Sequence, residues 1–171
     1  MSVLTTLRRR GYTAALLGFR KMPAPVRRGL VRSVTPGFTV GAVCAIDHDG
    51  QWLFLRQPHR VGWSLPGGLL DRGERPDDAV RREIREETAL EVEVGLPVSV
   101  QVNAAVRRVD VIYRIAVDDR PDVRVGGEAK DFRWLAPTDL DDADASTREI
   151  LDVLARAADP AGYSGRVLRG T

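Results

Sequence analysis

The stretch Gly67–Leu90 constrains this chain more than any other part of the sequence. It reads GGLLDRGERPDDAVRREIREETAL, a glycine-containing loop that leads into a charged segment with helical periodicity. Glu83, Glu86 and Glu87 fall on one side of that helix because they are three and four residues apart. Carboxylate oxygens suit Mg²⁺ or Mn²⁺, which also bind substrate phosphate. The stretch therefore predicts a divalent-metal site for phosphate chemistry.

The charges of the chain are unevenly distributed. Residues 1–46 carry eight cations and no acids, whereas the remaining residues carry 18 cations and 24 acids. The net charge of +2 and the pI of 9.0 hide this asymmetry. An acidic main domain fits a protein that recruits metal cations, and we expect that domain not to bind nucleic acid.

Length and composition limit the other classes of protein. A chain of 171 residues is long enough for one domain with extensions. No apolar run approaches the roughly 20 residues of a membrane span, so we expect no transmembrane segment and a cytoplasmic location. The single cysteine, Cys44, excludes an intrachain disulfide and is predicted to be a buried small hydrophobic residue.

Residues 1–36 are predicted to form a basic N-terminal helical extension. Pro23 and Pro25 are expected to break any helix there. One interpretation is a basic helix or two that pack on the domain or on a second subunit, which would make a homodimer. The alternatives are contact with an anionic membrane or nucleic acid, and a cleaved targeting segment.

Residues 37–160 carry the patterns of a mixed α/β domain. Period-two alternation or apolar runs predict strands, turn residues separate them, and two segments have helical periodicity. The predicted helices begin at Pro76 and at 146 or 147, the second ending at 158, and Val80 and Ile84 should pack on the sheet. Residues 161–171 are expected to be a mobile polar tail. The economical architecture is an α/β/α sandwich with a mixed sheet. The predicted strands are 38–46, 52–56, 92–94, 98–106, 109–117 and 132–135.

The charged stretch resembles a known family motif. The stretch has Gly68, then five residues, Glu74, then seven residues and finally Arg82-Glu83-Ile84-Arg85-Glu86-Glu87-Thr88-Ala89-Leu90. This pattern is similar to the Nudix box and matches eight of its nine specified positions. The departure is Ala89, where the family has a glycine in left-handed conformation at the helix end. Alanine there costs about 1 kcal/mol and removes no ligand.

The resemblance implies a MutT-like Nudix hydrolase. Such enzymes use water to split the pyrophosphate bond of a nucleoside diphosphate linked to another group X, with Mg²⁺ or Mn²⁺ as cofactor. By position it implies that Glu74 and Arg82 are structural, tying the loop to the helix. The implied metal ligands are the Gly68 carbonyl, Glu83, Glu86 and Glu87.

The catalytic residues implied by the resemblance are Glu83, Glu86 and Glu128. In some relatives the general base is the first glutamate of the helix, here Glu83. In others it comes from a later loop, where Glu128 is the best candidate for base or metal ligand and Asp131 is second.

Residues before the box are candidates for binding the substrate. Arg56 ends the second predicted strand, where relatives often place a phosphate-binding arginine. Arg60 and His59 follow in the 57–64 loop. Trp63 either stacks on a nucleobase or packs beneath the loop.

The downstream signals of several Nudix subfamilies are absent. Ala105, for example, stands where many ADP-ribose hydrolases have proline. We therefore expect a small-molecule nucleotide substrate, either a nucleoside triphosphate or a nucleotide sugar. The alternative is a catalytically silent Nudix-like module that binds or senses a nucleotide.

Overall fold

A computed structural model describes residues 18–35, 37–157 and 165–168. The chain divides into two compact units, Met1–Gly37 and Phe38–Thr171. The helices described over their full length are α1 (Ala24–Val34), α2 (Pro76–Thr88) and α3 (Ala145–Arg156), and Pro137–Asp139 form a 3₁₀ turn. The strands are β1 (Thr39–His48), β2 (Gln51–Arg56), β3 (Trp63–Ser64), β4 (Gly67–Leu69), β5 (Glu91–Glu93), β6 (Ser99–Asn103), β7 (Arg108–Ala116), β8 (Asp131–Leu135) and β9 (Arg166–Leu168).

The main sheet of the second unit is mixed. Its path runs β3-β2-β1-β7-β6, with β4 paired to β1 and β8 paired to β2. The pair β1–β7 is parallel, and the other described pairs of this sheet are antiparallel. Because β1 lies at its centre, β1 is buried over most of its length.

Helices α2 and α3 cover opposite faces of this sheet. Val80 and Ile84 of α2 share one hydrophobic cluster with Leu55, whereas Leu154 of α3 shares a second cluster with Phe54. Phe54 and Leu55 are consecutive in β2, and consecutive strand residues point to opposite faces. The predicted α/β/α sandwich with a mixed sheet is confirmed, as are the burial of Cys44 and the packing of Val80 and Ile84.

The two ends of α2 follow from local sequence. Pro76 stands in the first turn, and Arg75 makes no side-chain cap. At the other end Ala89 has φ 58° and ψ 17°, and its N–H donates to the Arg85 carbonyl at 2.9 Å. Alanine therefore adopts the left-handed conformation that glycine takes in the box.

Strand β6 is shorter than the sequence predicted. The apolar alternation extended to Val106, but residues 104–107 form a turn in which Arg107 has φ 52°. The Asn103 side chain accepts a hydrogen bond from the Ala105 N–H at 3.2 Å. An asparagine that bonds to the backbone two residues later favours a turn over an extended strand.

The expectation of a mobile polar tail over 161–171 is wrong for its described part. Residues 166–168 form β9, which pairs antiparallel with β5, and Arg166 Nη2 lies 2.8 Å from Glu93 Oε2. Three residues are too few to show a strand period, so the pairing partner rather than the local pattern determines this strand. Residues 158–164 and 169–171 lie outside the described part of the chain.

The first unit confirms that a proline interrupts helical structure there. Residues 18–21 are helical, the helix ends before Pro23, and α1 begins at Ala24 directly after it. Pro25 lies in the first turn of α1, where a missing N–H costs nothing, so only this proline is accommodated within a helix. The predictions for residues 1–17 lie outside the described residues. None of the helices in the described part of the chain is long and apolar enough to cross a membrane.

Candidate active site

The glutamates of α2 line a cavity of about 720 Å³ in the second unit. The glycine loop, α2, the segment after β2, the start of β7, the loop before β8 and the start of α3 all contribute to its wall. The lining residues with direct chemical interest are Arg60, Gly68, Arg82, Glu83, Glu86, Glu87, Arg108 and Glu128.

Glu87 is the most buried of these carboxylates, with 4% of its surface exposed. One of its oxygens accepts a hydrogen bond from the Gln57 side-chain amide, and the other accepts from the Gly67 N–H at 3.0 Å. Burial raises the pKa of Glu87 to about 7, and repulsion from Glu83 and Glu128 acts in the same direction. One oxygen is therefore held by the residue after β2 and the other by the first residue of β4.

Glu83 lies against the backbone of Gly68. A β-carbon at position 68 would overlap the Glu83 carboxylate, so glycine permits this approach without a shift of the Glu83 side chain. The glycine of the loop and the first glutamate of the helix are thus in contact, although they are separated by 15 positions in the sequence.

Arg82 links the loop to the helix. Its Nε and Nη2 each donate to the Glu74 carboxylate at 2.9 Å, and Nη2 also donates to the Leu69 carbonyl at 3.2 Å. Its Nη1 donates to Glu83 Oε1 at 2.8 Å. Hydrogen bonding to Arg82 lowers the pKa of Glu74 to about 2, and the Asp71 N–H contributes to the same shift.

Glu128 reaches the cavity because its loop packs on the end of α2. The Arg124 and Gly126 N–H groups donate to the carbonyls of Thr88 and Glu87, both at 3.0 Å. These carbonyls have no partner within the helix. A β-carbon at Gly126 would lie 2.8 Å from the Glu86 carbonyl oxygen, so glycine permits this close approach. Glu128 then faces His59, with Nδ1 and Oε2 3.0 Å apart.

The candidate substrate-binding residues before the box lie in different places. Arg60 lines the cavity, is 16% exposed and lies 3.5 Å from Asp144. Arg56 is absent from the described lining and donates to Asp142 at 3.0 Å. Trp63 is buried in the cluster that α3 covers, with the guanidinium of Arg56 5.7 Å from its ring centroid. Of the two interpretations of Trp63, the structure favours packing.

Comparison with known proteins identifies the family. The model of the NUDIX domain matches residues 35–154, which is most of the chain. The chain belongs to the Nudix family. The prediction made from the box is therefore confirmed, and the chain is an enzyme of the pyrophosphohydrolase class.

Relatives agree with this assignment. A MutT-like protein of Streptomyces ambofaciens is 31% identical over 64% of this chain and 71% of its own length. The nucleoside triphosphatase NudI of Escherichia fergusonii is 29% identical over 63% of this chain and 90% of its own. The crystal structure of a MutT Nudix hydrolase from Burkholderia pseudomallei superposes with a TM-score of 0.59 at 28% identity, covering 70% of this chain and 99% of the other.

The donor set of this Nudix cavity fits a divalent metal ion. It consists of carboxylate oxygens and a backbone carbonyl, which are the ligands that hard cations prefer. The repulsion that helps to raise the pKa of Glu87 is of the kind that a cation relieves. Within the described residues, no three His, Cys, Asp or Glu side chains are close enough together to hold a metal ion as they stand. The glutamates therefore fit a cation by ligand type, and they would have to move closer together to bind it.

Two lining or supporting residues were missed by the sequence analysis. Gln57 continues the alternation of β2 by one residue beyond Arg56, which places it on the same face as Leu55 and α2. The period-two pattern of β2 was therefore a signal from which Gln57 could have been identified. Arg108 has no such signal, because its place in the cavity wall depends on the pairing of β7 with β1. Asp131 pairs across from Arg56 in β8 and is not part of the described lining.

Proposed function

We propose that this Nudix hydrolase cleaves a pyrophosphate bond of a nucleoside triphosphate or a nucleotide sugar with the help of Mg²⁺ or Mn²⁺. The observation that carries the proposal is one cavity that combines four glutamates with Arg60. The oxygen of water bonds to phosphorus while the bridging P–O bond breaks. The products are a nucleoside monophosphate and the phosphorylated group X.

The residues that would hold the metal are Glu83, Glu86, Glu87 and the Gly68 carbonyl. A bound divalent ion supplies Lewis-acid polarisation of phosphate and neutralisation of its charge. Arg82 supports this set from outside, since it donates to Glu83 while Glu74 holds its other nitrogens.

Glu128 is the proposed general base, with Glu83 as the alternative. The Glu128 side chain is 73% exposed and so accessible to a water molecule, and His59 Nδ1 lies 3.0 Å from its Oε2. Its carboxylate would accept the proton that water loses on attack. Arg60, whose guanidinium is in the cavity wall, would bind and orient the phosphate chain.

The similarity to proteins named nucleoside triphosphatase NudI favours a triphosphate over a nucleotide sugar. Those relatives are aligned over 89–90% of their own length and 62–63% of this chain. The substrate class is therefore the part of the proposal that rests on comparison.

The test is a panel of nucleoside triphosphates and nucleotide sugars, assayed with Mg²⁺, with Mn²⁺ and with chelator. We expect metal-dependent turnover of at least one triphosphate, and a loss of about 100-fold or more in Glu83→Gln and Glu87→Gln because each removes a ligand charge. Glu149→Gln is the matched control, since Glu149 lies on α3 and contacts Gln101 and Asn103.

Two results would contradict the proposal. Full activity in both cavity variants would exclude these glutamates from the site. Failure of the wild-type protein to turn over any compound in the panel, while nucleotides still bind, would favour a binding module.

A further inference from the structure

The cavity is lined by residues from both faces of the sheet. Glu83, Glu86 and Glu87 belong to α2, which covers one face. Arg108 is four residues before Ile112 in β7 and therefore lies on the face that α3 covers, as do Asp144 and Ser146 at the start of α3. Arg108 is thus a group of the cavity wall outside the glutamate set, available to the part of a nucleotide that is not phosphate.

Arg108 is held by a buried carboxylate. Its Nε and Nη2 both lie 2.7 Å from Asp110 Oδ1, and Asp110 is only 4% exposed. Gly41 on the neighbouring strand leaves room for the pair, because a β-carbon there would lie 2.7 Å from Asp110 Oδ1 and 3.0 Å from Arg108 Nη2. The guanidinium is therefore fixed in position before any ligand arrives.

Asp110 compensates the positive charge of Arg108, so the pair as a whole is neutral while Arg108 keeps a free donor. Its Nη1 donates to no residue in the described part of the chain, and guanidinium nitrogens never accept hydrogen bonds. Because Asp110 compensates its charge at 2.7 Å, the pair attracts phosphate less than Arg60, which lies 3.5 Å from Asp144. A compensated donor suits a neutral acceptor such as a carbonyl oxygen.

We propose that Arg108, positioned by Asp110, determines base specificity by donating a hydrogen bond to a keto oxygen of the nucleobase. This inference rests on the proposed function and names its substrate class, nucleoside triphosphates with a 6-oxopurine or 4-oxopyrimidine base. Guanine O6 and thymine O4 are acceptors, whereas the adenine and cytosine groups at those positions are amino donors. A donor facing an amino group leaves both unsatisfied, which disfavours binding.

Matched substrates isolate this contact. Inosine and adenosine triphosphates carry an oxo and an amino group, respectively, at the 6-position, and uridine and cytidine triphosphates differ in the same way at the 4-position. We expect kcat/KM to favour the oxo member of each pair by about tenfold or more, because the amino member leaves the Arg108 donor without an acceptor.

Substitution then assigns the preference to Arg108. Arg108→Met removes the donors, and we expect it to abolish the oxo preference in both pairs. The double variant Arg108→Met/Asp110→Asn also removes the carboxylate charge that Arg108→Met leaves unpaired. We expect it to lose the oxo preference as Arg108→Met does, and to be more stable than that single variant. Arg108→Lys keeps the charge without the planar fork, and should lose most of the preference.

Arg114→Met is the matched control. Arg114 lies on the same strand and makes the same kind of ion pair, with Nη2 2.5 Å from Asp47 Oδ2, but it is not among the lining residues. We expect this variant to keep the wild-type preference. Thermal unfolding of every variant confirms that the protein is folded under assay conditions.

Three results would overturn the inference: no oxo preference in the wild type, an oxo preference that survives in folded Arg108→Met, or equal loss of the preference in Arg114→Met. Failure of the proposed function looks different, because then the wild-type protein would turn over no nucleotide at all. A uniform loss of activity toward all four substrates in Arg108→Met would instead make Arg108 a phosphate-binding residue.

Discussion

Gln57 is the residue that holds the most buried glutamate of the cavity. It is 3% exposed, it donates to Glu87, and its own carbonyl oxygen lies 3.4 Å from the Ser64 hydroxyl. An outer residue that orients a ligand carboxylate typically changes metal affinity or activity by about 10- to 100-fold when it is removed. Gln57 therefore acts through Glu87.

Gln57→Met keeps the length of the side chain and removes the amide. We expect Mn²⁺ affinity, measured by electron paramagnetic resonance in the absence of substrate, to fall by about 10- to 100-fold. Gln101→Met is the control, because Gln101 makes the same amide-to-glutamate contact with Glu149 on the rim of the fold. Equal Mn²⁺ affinity in the Gln57 variant and the wild type would refute this positioning role.

The ion pair of Glu74 with Arg82 should make the free energy of unfolding depend on pH. The folded protein holds the pKa of Glu74 near 2, below its ordinary value of 4.5, so this interaction is fully present above about pH 4.5. It is lost as pH falls through the interval from 4.5 toward 2. We expect the difference in unfolding free energy between wild type and Glu74→Gln to shrink over that interval, measured by urea denaturation at a series of pH values.

A double-mutant cycle tests whether Arg82 is the cause. In the Arg82→Met background the Glu74→Gln change should produce little pH-dependent difference, since the main partner that lowers the pKa of Glu74 is gone. A pH dependence that persists unchanged in that background would assign the shift to another group.

At the scale of the element, α2 ends in a strained backbone conformation, which the glycine of the family motif adopts without strain. Ala89 has φ 58°, a conformation that costs a residue with a β-carbon about 1 kcal/mol. We expect Ala89→Gly to raise the free energy of unfolding in urea by about that amount. Ala155→Gly is the control with opposite sign, because Ala155 is exposed in the last turn of α3, where glycine is a poorer helix former than alanine. A loss of stability in Ala89→Gly would contradict this account.

The loop after β7 packs on the end of α2 and contributes to the same cavity. Its N–H groups bond to carbonyls of Glu87 and Thr88, and the same segment carries Glu128 to the cavity. A loop that caps the helix therefore connects the position of the candidate base with that of the glutamates. This explains why the glycine pair at 126 and 127 precedes Glu128.

At the scale of the whole molecule, the chain consists of two compact units with different composition. In the first unit, α1 buries none of its side chains, and Arg27, Arg28 and Arg32 lie among its exposed apolar residues. Every residue that lines the described cavity belongs to the second unit.

We expect deletion of residues 1–35 to preserve metal-dependent kcat/KM within about twofold, because the cavity loses no lining residue. Steady-state kinetics and the mass in solution, by light scattering, provide the measurements. Loss of activity together with a halved mass would show instead that the extension assembles the active enzyme as a homodimer.

The sequence by itself determined the grouping of the glutamates on α2 and the class of fold. Three glutamates at helical spacing, the glycine before them and the Glu74–Arg82 spacing are local features, and local chain geometry is enough to bring them together. The alternation of β1 and β2 determined which of the two hydrophobic clusters each residue enters, because both faces of these strands are buried.

Only the tertiary structure decided what surrounds that helix. Arg56 and Arg60 are four positions apart, yet only Arg60 is in the cavity wall, since the chain turns out of β2 between them. The pairing of β7 beside β1 brought Arg108 to the cavity, and β5 made residues 166–168 a strand. These placements depend on contacts between residues far apart in sequence, whose partners a local pattern does not specify. The glutamates of α2 could be identified from the sequence, whereas Arg108, proposed to bind the base, could be identified only from the pairing of strands in the sheet.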